Sequence, residues 1–270
     1  MNSLVKTALV AGAALIVGVG LVKGLRSEEA APKPAGTLTI AAASDLKFAL
    51  DEFLKEFRAR HPGAEVQATY GSSGNFLAQI SQGAPFDVFL SADVAYPREL
   101  ANKGLVDDSG VFHYAVGRIV VWVPNGSSLP VETLGLKALE DPAAKRIAIA
   151  NPQHAPYGRA AEAALKSQGV YEAVKDKLVL GENIAQAAQF VQSGSADVGI
   201  IALALALAPA MKDQGRSWEV PLEAYPRMEQ GGAILKGARD VALAKQFREE
   251  LLGAEGRALL KRYGFSLLGE

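Results

Sequence analysis

The sequence of 270 residues contains no cysteine, which excludes disulfide cross-links, thiol nucleophiles and cysteine-held metals from the outset. Histidine is nearly as scarce: His61, His113 and His154 are too few and too scattered to read as a metal cluster. Charge of one sign is lacking too. With 28 basic against 29 acidic residues the formal net charge is −1, so no global field draws the chain toward nucleic acid or an anionic membrane. Any anion that binds must be caught by local groups. Neither a G-x-x-x-x-G-K-[ST] phosphate loop nor a G-x-S-x-G nucleophile elbow occurs. What is present is an ordinary soluble composition, 49% hydrophobic and 21% charged, with ample apolar material for a core.

The N-terminus bears on location. Lys6 precedes sixteen uncharged, mostly apolar residues, Thr7 to Val22, which are followed by Lys23 and Arg26. Residues 1–26 read as an export signal, either cleaved or retained as a membrane anchor; the run is short for a bilayer, yet no A-x-A cleavage site follows it. Residues 27–36, rich in Pro and Ala, read as a linker. Beyond it, 234 residues remain for the folded body, enough for two lobes.

From Thr37 onward short apolar runs alternate with amphipathic patterns, the signature of β-α-β units on mostly parallel sheets. Leu38 to Ala43 forms a first strand; Leu46, Ala49, Leu50, Phe53, Leu54 and Phe57 then recur at three- and four-residue spacing, and His61-Pro62-Gly63 stops the helix. Further strands are expected at 65–70, 86–91, 118–123, 146–150, 178–180 and 198–201. The fold class is therefore α/β, with two lobes joined near residues 118 and 223: residues 37–117 with 224–270 as lobe 1, and 118–223 as lobe 2.

In an open α/β sheet, ligands bind beyond the carboxyl ends of strands, where helix N-termini present unpaired N–H groups. Four junctions of this chain carry donors there. Ser44 stands between the first strand and its helix, where its hydroxyl can cap the helix or serve a guest. Ser72-Ser73-Gly74 occupies the next strand-to-helix turn. Ala155-Pro156-Tyr157-Gly158 precedes a helix through Ala160 and Ala164, and Glu182-Asn183-Ile184 opens another, with Asn183 as cap and the Ile184 amide near its free end. Each is ordinary alone; together, two from each lobe would converge on one cleft.

These residues resemble those of the periplasmic molybdate-binding proteins of ABC transporters, which have the type II periplasmic binding protein fold. The resemblance spans residues 37–268 and rests on A-A-A-S-D-L at 41–46, G-S-S-G at 71–74, Q-G-A-P-F-D-V-F-L-S-A-D at 82–93, N-P-Q-H-A-P-Y-G at 151–158, G-E-N-I at 181–184, S-G-S-A-D-V-G-I at 193–200 and K-R-Y-G-F at 261–265. It implies that Ser44 and Ser73 donate from lobe 1, and Tyr157 and the Ile184 backbone N–H from lobe 2. The implied ligand is molybdate or tungstate as an oxyanion, with no cation ligands and no cofactor. The implied partner is an ABC permease, reached by a monomer outside the cytoplasm that binds no nucleic acid. Some relatives place a tyrosine after G-I-x, where this chain has Ala202; Tyr157 would supply that hydroxyl from another direction.

The chemistry suits a tetrahedral dianion. A fully ionised oxyanion only accepts hydrogen bonds, so neutral amides and hydroxyls satisfy it without arginine or lysine. Hydrogenphosphate would bring an O–H without an acceptor in an all-donor pocket, at a cost of about 1–3 kcal/mol. Asp45 is expected to face the helix dipole and to point away from the cleft. The other readings are a different oxyanion, such as sulfate, and a serine hydrolase in which His154 and Asp87 or Asp93 would meet a serine across the cleft.

Overall fold

The computed structural model describes residues 36–269. The expected signal or anchor at 1–26 lies outside the described residues, as does the linker except for Gly36, which opens the first strand. Ten strands follow: β1 Gly36–Ala43, β2 Ala64–Gly71, β3 Val88–Ser91, β4 Val106–Gly117, β5 Ile119–Pro124, β6 Ile147–Ala150, β7 Leu178–Gly181, β8 Val198–Ala202, β9 Gly215–Glu219 and β10 Met228–Leu235. They form two five-stranded sheets, ordered β2-β1-β3-β10-β4 and β7-β6-β8-β5-β9.

In the first sheet β1 pairs in parallel with β2 and β3, while β10 runs antiparallel to both its neighbours. The second sheet repeats the scheme, with β6 parallel to β7 and β8, and β5 antiparallel to β8 and β9. Four strands of each sheet thus share one direction, and one is reversed. The reversed strands, β5 and β10, are the ones the chain enters on passing from one sheet to the other: directly after Gly117, and again after the segment 220–227 that follows β9. Both crossings lie side by side at the base of the two halves, because β4 and β10 are paired there from Met228↔Gly117 onward. This is the two-lobed α/β architecture expected, joined by a double crossing.

The core follows from the periodicities. Helix Lys47–Arg60 buries Ala49, Leu50, Phe53, Leu54 and Phe57 on one face and ends at His61, ahead of Pro62. Phe53 and Phe57 meet Phe247 of helix Val241–Leu252 edge-on, at ring centroid distances of 5.5 and 5.8 Å. Each such ring or leucine removed from water contributes about 1.5–3 kcal/mol. In the second half Ile147, Ile149, Val198, Ile200 and Val121 fill the space between sheet and helices with no exposed surface. Among the described residues no helix is long and apolar enough to cross a membrane.

A buried carboxylate ties the first half together. Asp87 accepts hydrogen bonds from the backbone N–H (2.6 Å) and hydroxyl (2.8 Å) of Thr39, and from the backbone N–H (2.9 Å) and guanidinium (2.7 Å) of Arg239. Asp87 is therefore a structural clamp that ties the start of β3 to the middle of β1, away from the strand ends at Ser44.

Candidate functional site

The ends of the strands meet where the two halves face one another. Ser44 follows β1 in a short 3-10 turn, Ser44–Leu46, that leads into helix Lys47–Arg60. Its hydroxyl does not cap that helix. It accepts the backbone N–H of Ala185, from the other half, at 3.3 Å. Ser72 is the cap of helix Ser73–Ser81, accepting the Asn75 N–H at 3.4 Å, which leaves Ser73 as the first helical residue. The Ser73 hydroxyl oxygen accepts the Ala92 N–H at 3.0 Å. Both serine oxygens are thus engaged as acceptors by backbone amides, so each still has its own O–H to give. Ser44 and Ser73 are 2% and 1% exposed, a burial that costs free energy unless those protons find a partner.

The second half supplies two more helix ends. Asn183 caps helix Ile184–Gln192 through its side chain, which accepts the Gln186 N–H at 3.1 Å, and Ile184 is the first residue inside, its N–H without an intrahelical acceptor. Helix Pro156–Ser167 starts earlier than the sequence pattern suggests. Proline at its first position lacks an N–H that would go unused there, so Tyr157 and Gly158 lie inside the first turn instead of before it. Gly158 has no room for a side chain: a Cβ would sit 2.1 Å from the Ala150 carbonyl oxygen.

One small hollow is lined by Ser44, Ser73, Tyr157 and Ile184 together, along with Asp45 and Ser72. The N-terminal residues of helices Ser73–Ser81, Pro156–Ser167 and Ile184–Gln192 line it together with the Ser44–Leu46 turn, and no lysine, arginine or histidine side chain does. The two halves touch around its rim. The Gly74 N–H donates to the His154 carbonyl at 2.9 Å, His154 Nδ1 lies 3.0 Å from Ser72 Oγ, and Asn75 Nδ2 donates to Glu182 at 3.2 Å. Arg159 reaches across to Asp93 and to the Tyr96 hydroxyl, both at 2.8 Å. His154, Asp87 and Asp93 thus have three separate partners, Ser72, Arg239 and Arg159.

Two expectations require correction. Asp45 does not point away from the cleft: it is 1% exposed and lines the hollow. Its Oδ2 accepts the Tyr157 hydroxyl at 2.8 Å and the Gln230 side-chain N–H at 2.6 Å. The Tyr157 proton is consequently committed to Asp45, while its oxygen accepts a further N–H from Gln230 at 3.0 Å. The hollow therefore is not lined by donors alone, and the simple exclusion of a protonated anion does not hold. Burial raises the Asp45 carboxyl to about 6, against the opposing effect of Gln230, Tyr157 and the nearby amides of Asp45 and Leu46. Burial and the neighbouring Asp45 keep the Tyr157 hydroxyl well above its ordinary range, so it stays protonated. Ala202, at the end of β8, is fully buried and is not among the residues lining the hollow.

Gln230 escaped the sequence reading because it stands in a stretch, Met228-Glu-Gln-Gly-Gly232, that looks like a turn. Its burial could have been suspected only from the apolar Ala233-Ile-Leu235 that follows. Asp45 and Tyr157 stand 112 residues apart, and no local signal pairs them.

A family model of bacterial extracellular solute-binding proteins matches residues 38–266. The chain belongs to the bacterial extracellular solute-binding proteins. Among members of this family, the molybdate-binding protein ModA of Rhodobacter capsulatus is 35% identical over 92% of this chain and 93% of its own length. ModA of Azotobacter vinelandii is 36% identical over 86% and 91%. The solved structure of the Azotobacter vinelandii periplasmic molybdate-binding protein superposes with a TM-score of 0.80 at 34% identity, over 85% of this chain and 99% of that one. Another solute-binding protein of the same shape, the sulfate-binding protein SubI of Mycobacterium tuberculosis, has a TM-score of 0.68 at 17% identity, a likeness of fold.

Proposed function

We propose that this solute-binding protein captures molybdate, or tungstate, in the hollow between its two lobes and delivers it to an ABC permease from outside the cytoplasm. The lobes are residues 37–117 with 224–270, and 118–223. The observation that carries this reading is the convergence of the Ser44 and Ser73 hydroxyls, the Ile184 amide and three helix N-termini on one cation-free hollow. A neutral donor set of this kind recognises a guest that brings its own full charge and needs only acceptors satisfied. Hydrogen bonds to a charged group each contribute about 1.5–3 kcal/mol, so a few of them suffice for tight capture even after desolvation of the anion. The relatives named as molybdate-binding support the choice of oxyanion. Tyr157 acts in this scheme from lobe 2 by holding the lobe-1 residue Asp45 in place beside the guest, and closure of the lobes shuts the anion away from water. The protein works as a monomeric carrier without cofactor or catalysis.

Titration calorimetry of the purified protein with molybdate, tungstate, sulfate and phosphate tests the reading. Molybdate and tungstate are expected to bind at least a hundredfold more tightly than sulfate. Equal affinity for sulfate would remove the specific assignment while leaving an oxyanion carrier; no heat with any of the four would remove both.

A further inference from the structure

Asp45 poses a physical problem for the proposed function on which this inference rests. A carboxylate lines a hollow assembled to hold a dianion, and in a site drained of water two such charges repel strongly. One oxygen of Asp45 is accounted for, since Oδ2 accepts from Tyr157 and Gln230. The other, Oδ1, is buried and has no hydrogen-bond partner among the described residues. A buried, unsatisfied carboxylate oxygen at the wall of a binding hollow is costly unless something in the hollow satisfies it.

We infer that Asp45 is a specificity-determining contact of the site: the anion is bound together with one proton, held between Asp45 Oδ1 and an oxygen of the guest. The balance is simple. A dianion, an ionised Asp45 and one proton taken from solvent give a complex whose two oxygens share one O–H···O bond, with no bond of the anion broken. Whether the proton resides nominally on the carboxyl or on the anion, the complex carries one negative charge less than its separate parts. The bond formed is of the strong, charge-assisted kind.

The surroundings favour this arrangement. The titratable groups that face Asp45 are Tyr157 from helix Pro156–Ser167 and Tyr114 from β4, both held well above their ordinary range and hence neutral. Gln230 from β10 is uncharged. Helix Ile184–Gln192 and the turn Leu203–Ala206, which also pack near the Ser44–Leu46 turn, contain no ionisable residue. Lys47, the nearest cation in sequence, is paired with Asp51 at 2.9 Å, and Tyr70 of β2 donates to the same carboxylate. No fixed positive charge therefore compensates an ionised Asp45 beside a dianion, and a proton is the one cation that can. The same acceptor gives the O–H of a protonated oxyanion a partner, so discrimination against phosphate rests on the size and shape of the hollow instead of on an all-donor lining.

Calorimetry of sodium molybdate binding at pH 8, repeated in buffers of different ionisation enthalpy, reads the proton directly. Uptake close to one proton per anion is expected, with Kd rising nearly tenfold per pH unit above about pH 7. Asp45→Asn is expected to bind with no uptake and a flat pH profile, because an amide N–H donates to the anion at every pH. Wild-type binding without proton uptake overturns this inference and leaves the carrier function standing. So does Asp45→Asn binding that keeps the wild-type pH slope. Absence of binding by any of molybdate, tungstate, sulfate and phosphate overturns both. The wild-type buffer series requires no variant, so a folding failure of Asp45→Asn does not obscure the result.

Discussion

Replacing Gly74 by alanine isolates closure of the lobes from the chemistry of the site. Gly74 lies in the first turn of helix Ser73–Ser81, where alanine is intrinsically the better helix former by about 1 kcal/mol, so lobe 1 by itself gains nothing from glycine. The requirement comes from the other lobe. A Cβ on residue 74 would stand 2.6 Å from the carbonyl oxygen of His154 and 3.0 Å from its Cα, and both are backbone atoms that cannot rotate away. The lobes must separate locally, and the 2.9 Å bond from the Gly74 N–H to that carbonyl must lengthen. Loss of one such bond costs about 0.5–1.5 kcal/mol, and the overpacking a further 1–3 kcal/mol. Gly74→Ala should therefore weaken molybdate binding by about 1.5–4.5 kcal/mol, roughly tenfold to a thousandfold, while the thermal midpoint of the ligand-free protein stays equal or rises. Calorimetry with a melting curve of each form provides the measurement. An unchanged Kd would refute the claim that this backbone contact belongs to the binding-competent state, and a lowered ligand-free midpoint would show that the glycine serves lobe 1 itself.

Three other outcomes follow from the same geometry. Ser73→Ala and Ser44→Ala should each weaken oxyanion binding by about tenfold or more, as expected for a lost hydrogen bond to a charged group, and should do so equally at pH 6 and pH 8; titration of each variant at both pH values checks this. Because burial raises the folded Asp45 carboxyl from 3.8 to about 6, its contribution favours the folded protein fully below about pH 4 and is lost as pH rises through 6. The ligand-free Asp45→Asn protein should accordingly lack that decline, a difference approaching about 3 kcal/mol at neutral pH by denaturant titration. Asp87 behaves oppositely. The hydrogen bonds from Arg239 and Thr39 outweigh its burial and hold it near 2, so its stabilisation is present above about pH 4 and disappears as pH falls toward 2; Asp87→Ala should flatten the acid limb of the stability curve and lower stability at pH 7 by about 3–5 kcal/mol.

Much of this architecture was legible in the chain because local pattern and tertiary outcome agree. Strands such as Ile147–Ala150 and Val198–Ala202 are buried on both faces, as strands covered by helices on either side must be, and so appear as unbroken apolar runs. Helix Lys47–Arg60 shows its face directly. The strands that escaped notice are the ones whose residues answer to something distant. β4 begins Val106-Asp-Asp-Ser-Gly110, which resembles a turn; β9, Gly215–Glu219, lies at a sheet edge and is mostly polar. β10 carries Gly231 and Gly232 in its middle because Val94 and Phe112 pack where side chains would be: Cβ atoms there would come within 2.5 and 2.7 Å of them. The site divides in the same way. Ser44, Ser73 and Ile184 stand at strand-to-helix junctions, which local signals mark, whereas the Asp45–Tyr157–Gln230 cluster joins three segments separated by 73 to 185 residues. An acid beside a helix start looks like a partner for the helix dipole until the opposite lobe covers it.

The rim of the cleft shows how a carrier of this design can both hold and release. Apart from the apolar packing of Ala204 and Ala208 against the lobe-1 core, the contacts that span the lobes outside the hollow are polar and modest: one backbone hydrogen bond, a histidine–serine pair, an asparagine–glutamate pair, an Arg159–Tyr96 hydrogen bond and an Arg159–Asp93 bridge whose side chains are 40% and 34% exposed. An exposed ion pair contributes about 0–1 kcal/mol and a neutral hydrogen bond about 0.5–1.5 kcal/mol, so these contacts amount to a few kcal/mol against the entropy and desolvation of closing. That is too little to lock the lobes together. The deciding weight sits in the hollow, where donors already buried in the closed form lack acceptors until an anion arrives. Closure is then coupled to the guest by hydrogen bonds that stay unsatisfied without it, and a permease that pulls the lobes apart must break the anion's own bonds along with the rim contacts. Arg159→Ala should accordingly change molybdate affinity by less than about fivefold, and raising the salt concentration should change the wild type as little; a loss comparable to that of Ser73→Ala would move the controlling interaction from the hollow to the rim.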